Sequence, residues 1–246
     1  MNPPPELRFD GEVVAVTGSG RGLGRAYVEH LAGIGARVVV NDIDADVVHE
    51  VVAAIGDRYA TGVVADVATA DGARHVVEAG LEVFGRIDAV VANAGNSWHQ
   101  PFGEMTEADL HAVYGPHVLG TFHTVKAAWP HFVRQGGGRI VTTSSGAVFG
   151  YAGRAHYAAA KGAVLGFTNT VAIEGKPHGI AANTVLPRGN TRLAEPHHQA
   201  PDPALAAPAV AWLCHTTCDE TRRAFVIGGG RITRVRFAPA EDVELS

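Results

Sequence analysis

The sequence predicts an α/β chain: a single doubly wound parallel sheet with helices on both faces. Three observations lead there. Short runs rich in Val and Ile alternate with longer amphipathic segments from one end to the other. The short runs are apolar at every position rather than every second one, as strands covered on both faces require. The first run passes directly into a Gly-rich turn that opens a helix. Composition agrees: 246 residues, 46% of them hydrophobic, can fill a core, which excludes a disordered chain. A net charge of -5 excludes a strongly basic nucleic-acid binder.

Taken in order, Val13–Thr17 reads as a buried strand and Gly22–Ala32 as the helix after it. Arg37–Asn41 is a second strand, followed by a helix with Val47, Val48, Val51, Val52 and Ile55 on one face. Thr61–Ala65 and Ala73–Phe84 continue the alternation, then Ile87–Ala92 and one long helical region, Glu107–Arg134. Arg139–Thr143, Arg154–Glu174 and Ile180–Leu186 follow as strand, helix, strand. A helix around Ala206–His215 and a strand around Ala224–Ile227 complete the pattern. No linker interrupts it, so residues 1–246 read as one domain with a proline-containing tail at 1–10. The Pro-rich stretch 188–208 reads as a substrate loop, because loops of that length are usually functional or mobile.

Cys214 and Cys218 are the only cysteines, which excludes a disulfide framework and favours a reducing compartment. The first ten residues lack the apolar core of a signal peptide, and no apolar run reaches membrane-spanning length. The expected location is cytoplasmic, with no membrane or nucleic-acid partner. Thirteen histidines raise the question of a metal. His197 and His198 are adjacent and diverge in most backbones, with no carboxylate set at ligand spacing, so no metal is expected.

Thr17-Gly18-Ser19-Gly20-Arg21-Gly22-Leu23-Gly24 lies between the first strand and its helix. A helix N-terminus offers free N–H groups to a phosphate, and glycines let the backbone come close. Asp42, at the end of the second strand, is placed to accept the ribose hydroxyls. Its carboxylate would repel a 2′-phosphate, so NAD is favoured over NADP. Arg21 pulls weakly the other way, because a guanidinium pairs with phosphate. Tyr157 and Lys161 are four apart and share a helix face. A cation within about 4–6 Å favours a phenolate, which would fit Tyr157 for proton exchange with an alcohol or ketone. Ser144 ends the fifth strand thirteen residues earlier, with Ser145 as its neighbour.

The Gly18…Gly22…Gly24 spacing together with Ser144, Tyr157 and Lys161 resembles the short-chain dehydrogenase/reductase family over nearly the whole chain. The resemblance implies a Rossmann-like fold and an NAD-dependent enzyme interconverting a secondary alcohol and a ketone. It implies that Ser144, favoured over Ser145 by the family's thirteen-residue spacing to the tyrosine, would hold the substrate oxygen, that Asp66-Val67 contacts the adenine and that Asn93-Ala94-Gly95 borders the cofactor. Pro187 and Thr191 would flank the nicotinamide, which Tyr157 and Lys161 would also face. His117 stands where the family usually has an Asn. Its implied role, by backbone or imidazole, is at a proton relay beside Lys161, with Gly115-Pro116 supplying the kink. His117 and the stretches Lys126-Ala127-Ala128-Trp129 and Trp212-Leu213-Cys214-His215 are similar to the dehydrogenase unit of multifunctional β-oxidation enzymes. That implies a 3-hydroxyacyl-CoA substrate, with a steroid or other secondary alcohol as runner-up. An NADPH-dependent 3-oxoacyl reductase is disfavoured by Asp42, and a non-catalytic dinucleotide sensor by the intact Ser144, Tyr157 and Lys161. The resemblance also implies a homodimer or homotetramer through the helical regions 107–134 and 154–174.

Overall fold

The computed structural model describes residues 7–189 and 201–236. Eight strands form one sheet in the order β3-β2-β1-β4-β5-β6-β7-β8. In chain order they are β1 Val13–Val16, β2 Arg37–Asp42, β3 Ala60–Val64, β4 Ala89–Ala92, β5 Gly138–Thr143, β6 Ile180–Pro187, β7 Arg223–Gly228 and β8 Arg231–Val235. The helices are α1 Gly22–Gly33, α2 Ala45–Ile55, α3 Ala70–Phe84, α4 Glu107–Tyr114, α5 Gly120–Gln135, α6 Ala155–Gly175 and α7 Ala207–Cys214. A π-helical turn, Gly115–Leu119, joins α4 to α5.

The apolar runs form central strands because both of their faces are covered. Val14 and Val16 of β1 pack with Tyr27, Leu31 and Val210 on one side. Val13 and Ala15 point the other way, among Val76, Val77, Phe132 and Ile140. Polar residues at alternate positions would leave one helix layer without its apolar partner. β3 sits at the sheet edge, and its side chains are correspondingly half-exposed or exposed after Ala60.

Two expectations change. The long region Glu107–Arg134 is two α-helices separated by the π turn, in which the Gly120 N–H bonds to the Gly115 carbonyl. Pro116 lacks an N–H and cannot continue the α ladder, so the chain takes one wider turn there. The sheet also gains β8, which pairs antiparallel with β7 from Gly228↔Arg231 to Ala224↔Val235. The remaining neighbours are parallel. The chain winds outward from β1 to β3, then restarts at β4 on the other side of β1. That reversal opens a crevice at the carboxyl ends of β1 and β4.

Candidate active site

A cleft of about 1540 Å³ occupies this crevice. Gly18, Arg21, Gly22, Leu23 and Gly24 line its floor at the start of α1. Gly18 has φ +62, and a Cβ there would lie 2.7 Å from the Ala94 Cα. A Cβ on Gly24 would collide with the Gly18 carbonyl. Both positions are therefore closed to larger residues, and the loop presents bare backbone at a helix N-terminus, the form of cradle that a pyrophosphate fits. Thr17 and Asn93 hold the loop in place. The Thr17 Oγ1 accepts from the Asn93 and Ala94 N–H groups at 3.0 and 3.1 Å, and the Asn93 amide donates to the Thr17 and Gly18 carbonyls at 3.1 Å.

Asp42 and Asp66-Val67 line the end of the cleft below β2 and β3. The Asp42 Oδ2 accepts from the Gly20 N–H and Oδ1 from the Asp44 N–H, both at a long 3.3 Å, leaving lone pairs toward the cleft. Arg21 is held: its Nη2 meets the Asp44 Oδ2 at 2.5 Å, and Asp44 in turn caps α2. Asp44 carried no motif that marked it from sequence. Asp66 Oδ1 accepts from the Ala68 N–H at 2.9 Å. Pro187 lines the cleft at the end of β6, and Thr191 lies outside the described residues.

At the other end, Tyr157 is the third residue of α6, whose Ala-rich start favours a helix. Lys161 follows one turn later and is 3% exposed. Its Nζ donates to the Thr143 carbonyl at 2.5 Å and lies 5.5 Å from the Tyr157 ring centre. Burial pushes the ammonium down to about 7. The phenol behaves differently from the sequence expectation. Burial raises it above the usual tyrosine range, and the groups pulling it down are the Ser145 hydroxyl and the Arg154 guanidinium rather than Lys161.

The two serines also divide differently. Ser144 continues the ladder beyond β5, its N–H donating to the Val185 carbonyl. Its hydroxyl donates to the Lys161 carbonyl at 2.8 Å, and the residue is 1% exposed. Both serines line the cleft; Ser145, next along the extended chain, faces the other way and is among the groups that pull the Tyr157 phenol down.

His117 lies inside the π turn, 2% exposed, its ring edge-on to Tyr157 at 5.3 Å between centres. Nε2 is 2.7 Å from the Asn96 carbonyl, which favours the tautomer that donates there. Nδ1 then stands as a buried acceptor without a hydrogen-bond partner. Burial, and after it the Lys161 charge, hold the imidazole well below its ordinary pKa, so it stays neutral. The His117 carbonyl accepts from the Thr121 hydroxyl at 2.6 Å, leaving one lone pair. Gly95 lies against the ring; a Cβ there would collide with the imidazole.

Among the described residues, no three His, Cys, Asp or Glu side chains come together as a metal site. No described helix is long and apolar enough to cross a membrane. Cys214 and Cys218 are buried and unbridged.

A doubly wound sheet, a glycine cradle at its switch point and a buried Tyr–Lys pair opposite define an oxidoreductase acting on a CH–OH group. Residues 12–199 match the model of the short chain dehydrogenase family, and the chain belongs to that family. It is 40% identical over 246 residues to mouse peroxisomal multifunctional enzyme type 2, covering 94% of this chain and 33% of the mouse protein. The chain thus spans a third of that relative's length. A putative short-chain type dehydrogenase/reductase of Mycobacterium tuberculosis is 39% identical, over 91% of this chain and 84% of the relative. Among solved structures, a short chain dehydrogenase from Mycobacterium avium superposes with a TM-score of 0.86 at 33% identity, covering 96% of this chain and 89% of that one. A gluconate 5-dehydrogenase from Burkholderia cenocepacia, in complex with NADP and tartrate, superposes with a TM-score of 0.84 at 26% identity over 91% and 96% of the two chains.

Proposed function

We propose that this enzyme uses NAD to interconvert a secondary alcohol and a ketone, with a 3-hydroxyacyl-CoA or similar molecule as substrate. The observation that carries the reading is Tyr157 lining the glycine-cradled cleft with Ser144, Ser145 and Lys161 around it, the Lys161 Nζ 5.5 Å from its ring centre. A nicotinamide held by this cleft would supply or accept the hydride, and its oxidised form would add positive charge that favours the phenolate. In reduction, Tyr157 gives its proton to the carbonyl oxygen while the Ser145 hydroxyl donates a second hydrogen bond and fixes that oxygen in place. In oxidation the Tyr157 oxygen takes the proton back. The phenol lies in the first turn of α6, where the helix dipole favours the anion formed between these steps.

Lys161, tied to the Thr143 carbonyl, keeps a titratable nitrogen beneath the tyrosine ring. His117 holds the Asn96 turn through Nε2, and its remaining carbonyl lone pair serves the proton path from Lys161. The substrate class is supported by the likeness to the peroxisomal multifunctional enzyme over most of this chain.

For the nucleotide, the Asp42 carboxylate at the end of β2 would repel a 2′-phosphate, and Arg21, the cation that could attract one, is paired with Asp44. Two carboxylates against one paired guanidinium favour NAD, although the Burkholderia neighbour holds NADP. The exposed apolar side chains of Leu119, Phe122 and Ile173 on α5, α6 and the turn before them suit a second copy of this chain. Two buried, unbridged thiols fit a reducing compartment such as the cytoplasm.

Initial rates with NAD and NADP, over a panel of acyl-CoA thioesters, steroids and simple secondary alcohols, test the reading. It expects NAD with a 3-hydroxyacyl-CoA to be fastest. Faster turnover with NADP across the panel would reject the nucleotide assignment, and no turnover at all would reject the reaction.

A further inference from the structure

Arg188 and Arg231 line the β6–β8 end of the cleft, and hydride transfer leaves both without a task. Arg188 directly follows β6, and its N–H donates to the Ile227 carbonyl at 2.7 Å, extending the ladder to β7. Pro187 pairs with Ile227, so Arg188 comes beside Gly228, which in turn pairs with Arg231 of β8. Arg188, Gly228 and Arg231 thus form one row across three strands, and side chains in such a row share a face. Two strand spacings separate the arginines, on the order of 10 Å between their Cα atoms. Gly228 keeps the space between them clear, because its φ is +139 and a Cβ there would collide with the Arg188 carbonyl.

Among the described residues, neither guanidinium makes an ion pair or a hydrogen bond, and both residues are exposed. Arg223 and Arg234, on the same β7–β8 hairpin, are instead both engaged by Glu220. The cleft's carboxylates among the described residues, Asp42, Asp44 and Asp66, belong to β2 or follow β2 and β3. β1, β4 and β5 stand between those strands and β6 in the sheet. The sign of the charge therefore reverses along the cleft. A guanidinium fork matches phosphate oxygens bidentately, and the bare backbone of Gly228 and Gly229 lets such a group sit close between the two forks.

We infer that Arg188 and Arg231 form a second anion site, separate from the glycine cradle, for the phosphates of a substrate's carrier group, as in a coenzyme A thioester. The inference rests on the 3-hydroxyacyl-CoA reading above and assigns the part of that substrate remote from the reacting carbon to named residues. Tyr157 stands where β5 meets α6, and Arg231 lies three strands further along the sheet, roughly 15 Å away. A carrier whose phosphates lie many bonds from its thioester spans that interval. The other phosphate within reach is the dinucleotide's own diphosphate, because a Cβ on Gly189 would sit 3.5 Å from Leu23 in the first turn of α1. That diphosphate has the N–H groups of the glycine cradle to meet it, which leaves the arginine pair for the substrate.

The test compares NAD-loaded wild type, Arg188→Gln, Arg231→Gln and the double variant. The probes are 3-hydroxybutyryl-CoA and 3-hydroxybutyryl-N-acetylcysteamine, which keeps the thioester but carries no phosphate. Any effect on the reacting groups moves both substrates together, so the readout is the ratio of kcat/KM for the CoA thioester to that for the short one. That ratio should fall about 10-fold in each single variant and about 100-fold in the double variant, chiefly through KM. An unchanged ratio overturns the inference while leaving hydride transfer intact. Weaker NAD binding with an unchanged ratio assigns the pair to the dinucleotide's diphosphate and overturns it equally. Absence of wild-type turnover with both thioesters instead defeats the 3-hydroxyacyl-CoA reading. Binding of coenzyme A to the NAD-loaded proteins then decides the role of the arginines. Affinity lost in the double variant upholds the site, and equal affinity, or no binding by the wild type, overturns it.

Discussion

Ser144 and Ser145 differ by one position along an extended chain, and that step reverses the direction of the side chain. The Ser144 hydroxyl donates to the Lys161 carbonyl inside the fold, whereas Ser145 is among the groups that pull the Tyr157 phenol down. Replacing Ser145 with Ala should therefore lower kcat about 100-fold, the usual loss for one donor at a developing oxyanion. Ser144→Ala should cost about 1 kcal/mol of stability and much less activity. Steady-state kinetics and urea unfolding of the two variants check this, and equal kinetic losses would contradict the division. At this scale the sequence revealed Tyr157 and Lys161, because a four-residue spacing fixes a shared helix face whatever surrounds it. It did not reveal Asp44 or Arg154. Their significance comes from partners 23 and 57 positions away, Arg21 and Ser97, which no local pattern records.

The elements were legible where burial on two faces demanded an unbroken apolar run, as in β1, β2 and β4. They were less so at the rim. β8, Arg231-Ile232-Thr233-Arg234-Val235, has only two apolar residues, three apart, so it shows no period-2 pattern that would mark it as a strand. The π turn could be foreseen as a kink from Pro116, but not as a wider helical turn that buries His117. Its fit against the β4 turn makes a specific demand: Gly95 has no side chain because the His117 ring occupies that space. Gly95→Ala should cost about 1–3 kcal/mol, as expected for an overpacked site. Adding His117→Ala should restore most of that loss, since the colliding ring is gone. A double-mutant cycle by chemical denaturation measures the coupling, and additive losses would show that the two residues do not compete for one space.

Across the whole molecule, the sheet buries its ammonium at the point where β5 meets α6, and this links folding to pH. Lys161 titrates at about 7 in the fold and at its ordinary value of 10.5 when exposed. Between those values the unfolded chain binds a proton that the folded chain has released, so unfolding becomes less favourable as pH rises through that window. Below it both states are protonated, and the burial penalty is felt in full. The difference in unfolding free energy between the wild type and Lys161→Met should therefore shift in favour of the wild type from pH 7 to pH 9. Urea titrations at several pH values follow this difference, and a flat one would contradict the burial of the charge.

The account depends most on the single hydroxyl of Tyr157 as the group that exchanges a proton with substrate. The most direct measurement is NAD binding and steady-state turnover in Tyr157→Phe on the same preparation. The account predicts unchanged nucleotide affinity with turnover reduced at least about 1000-fold, an effect at the scale of a general acid–base group. Turnover near the wild-type rate in a variant that still binds NAD would contradict it.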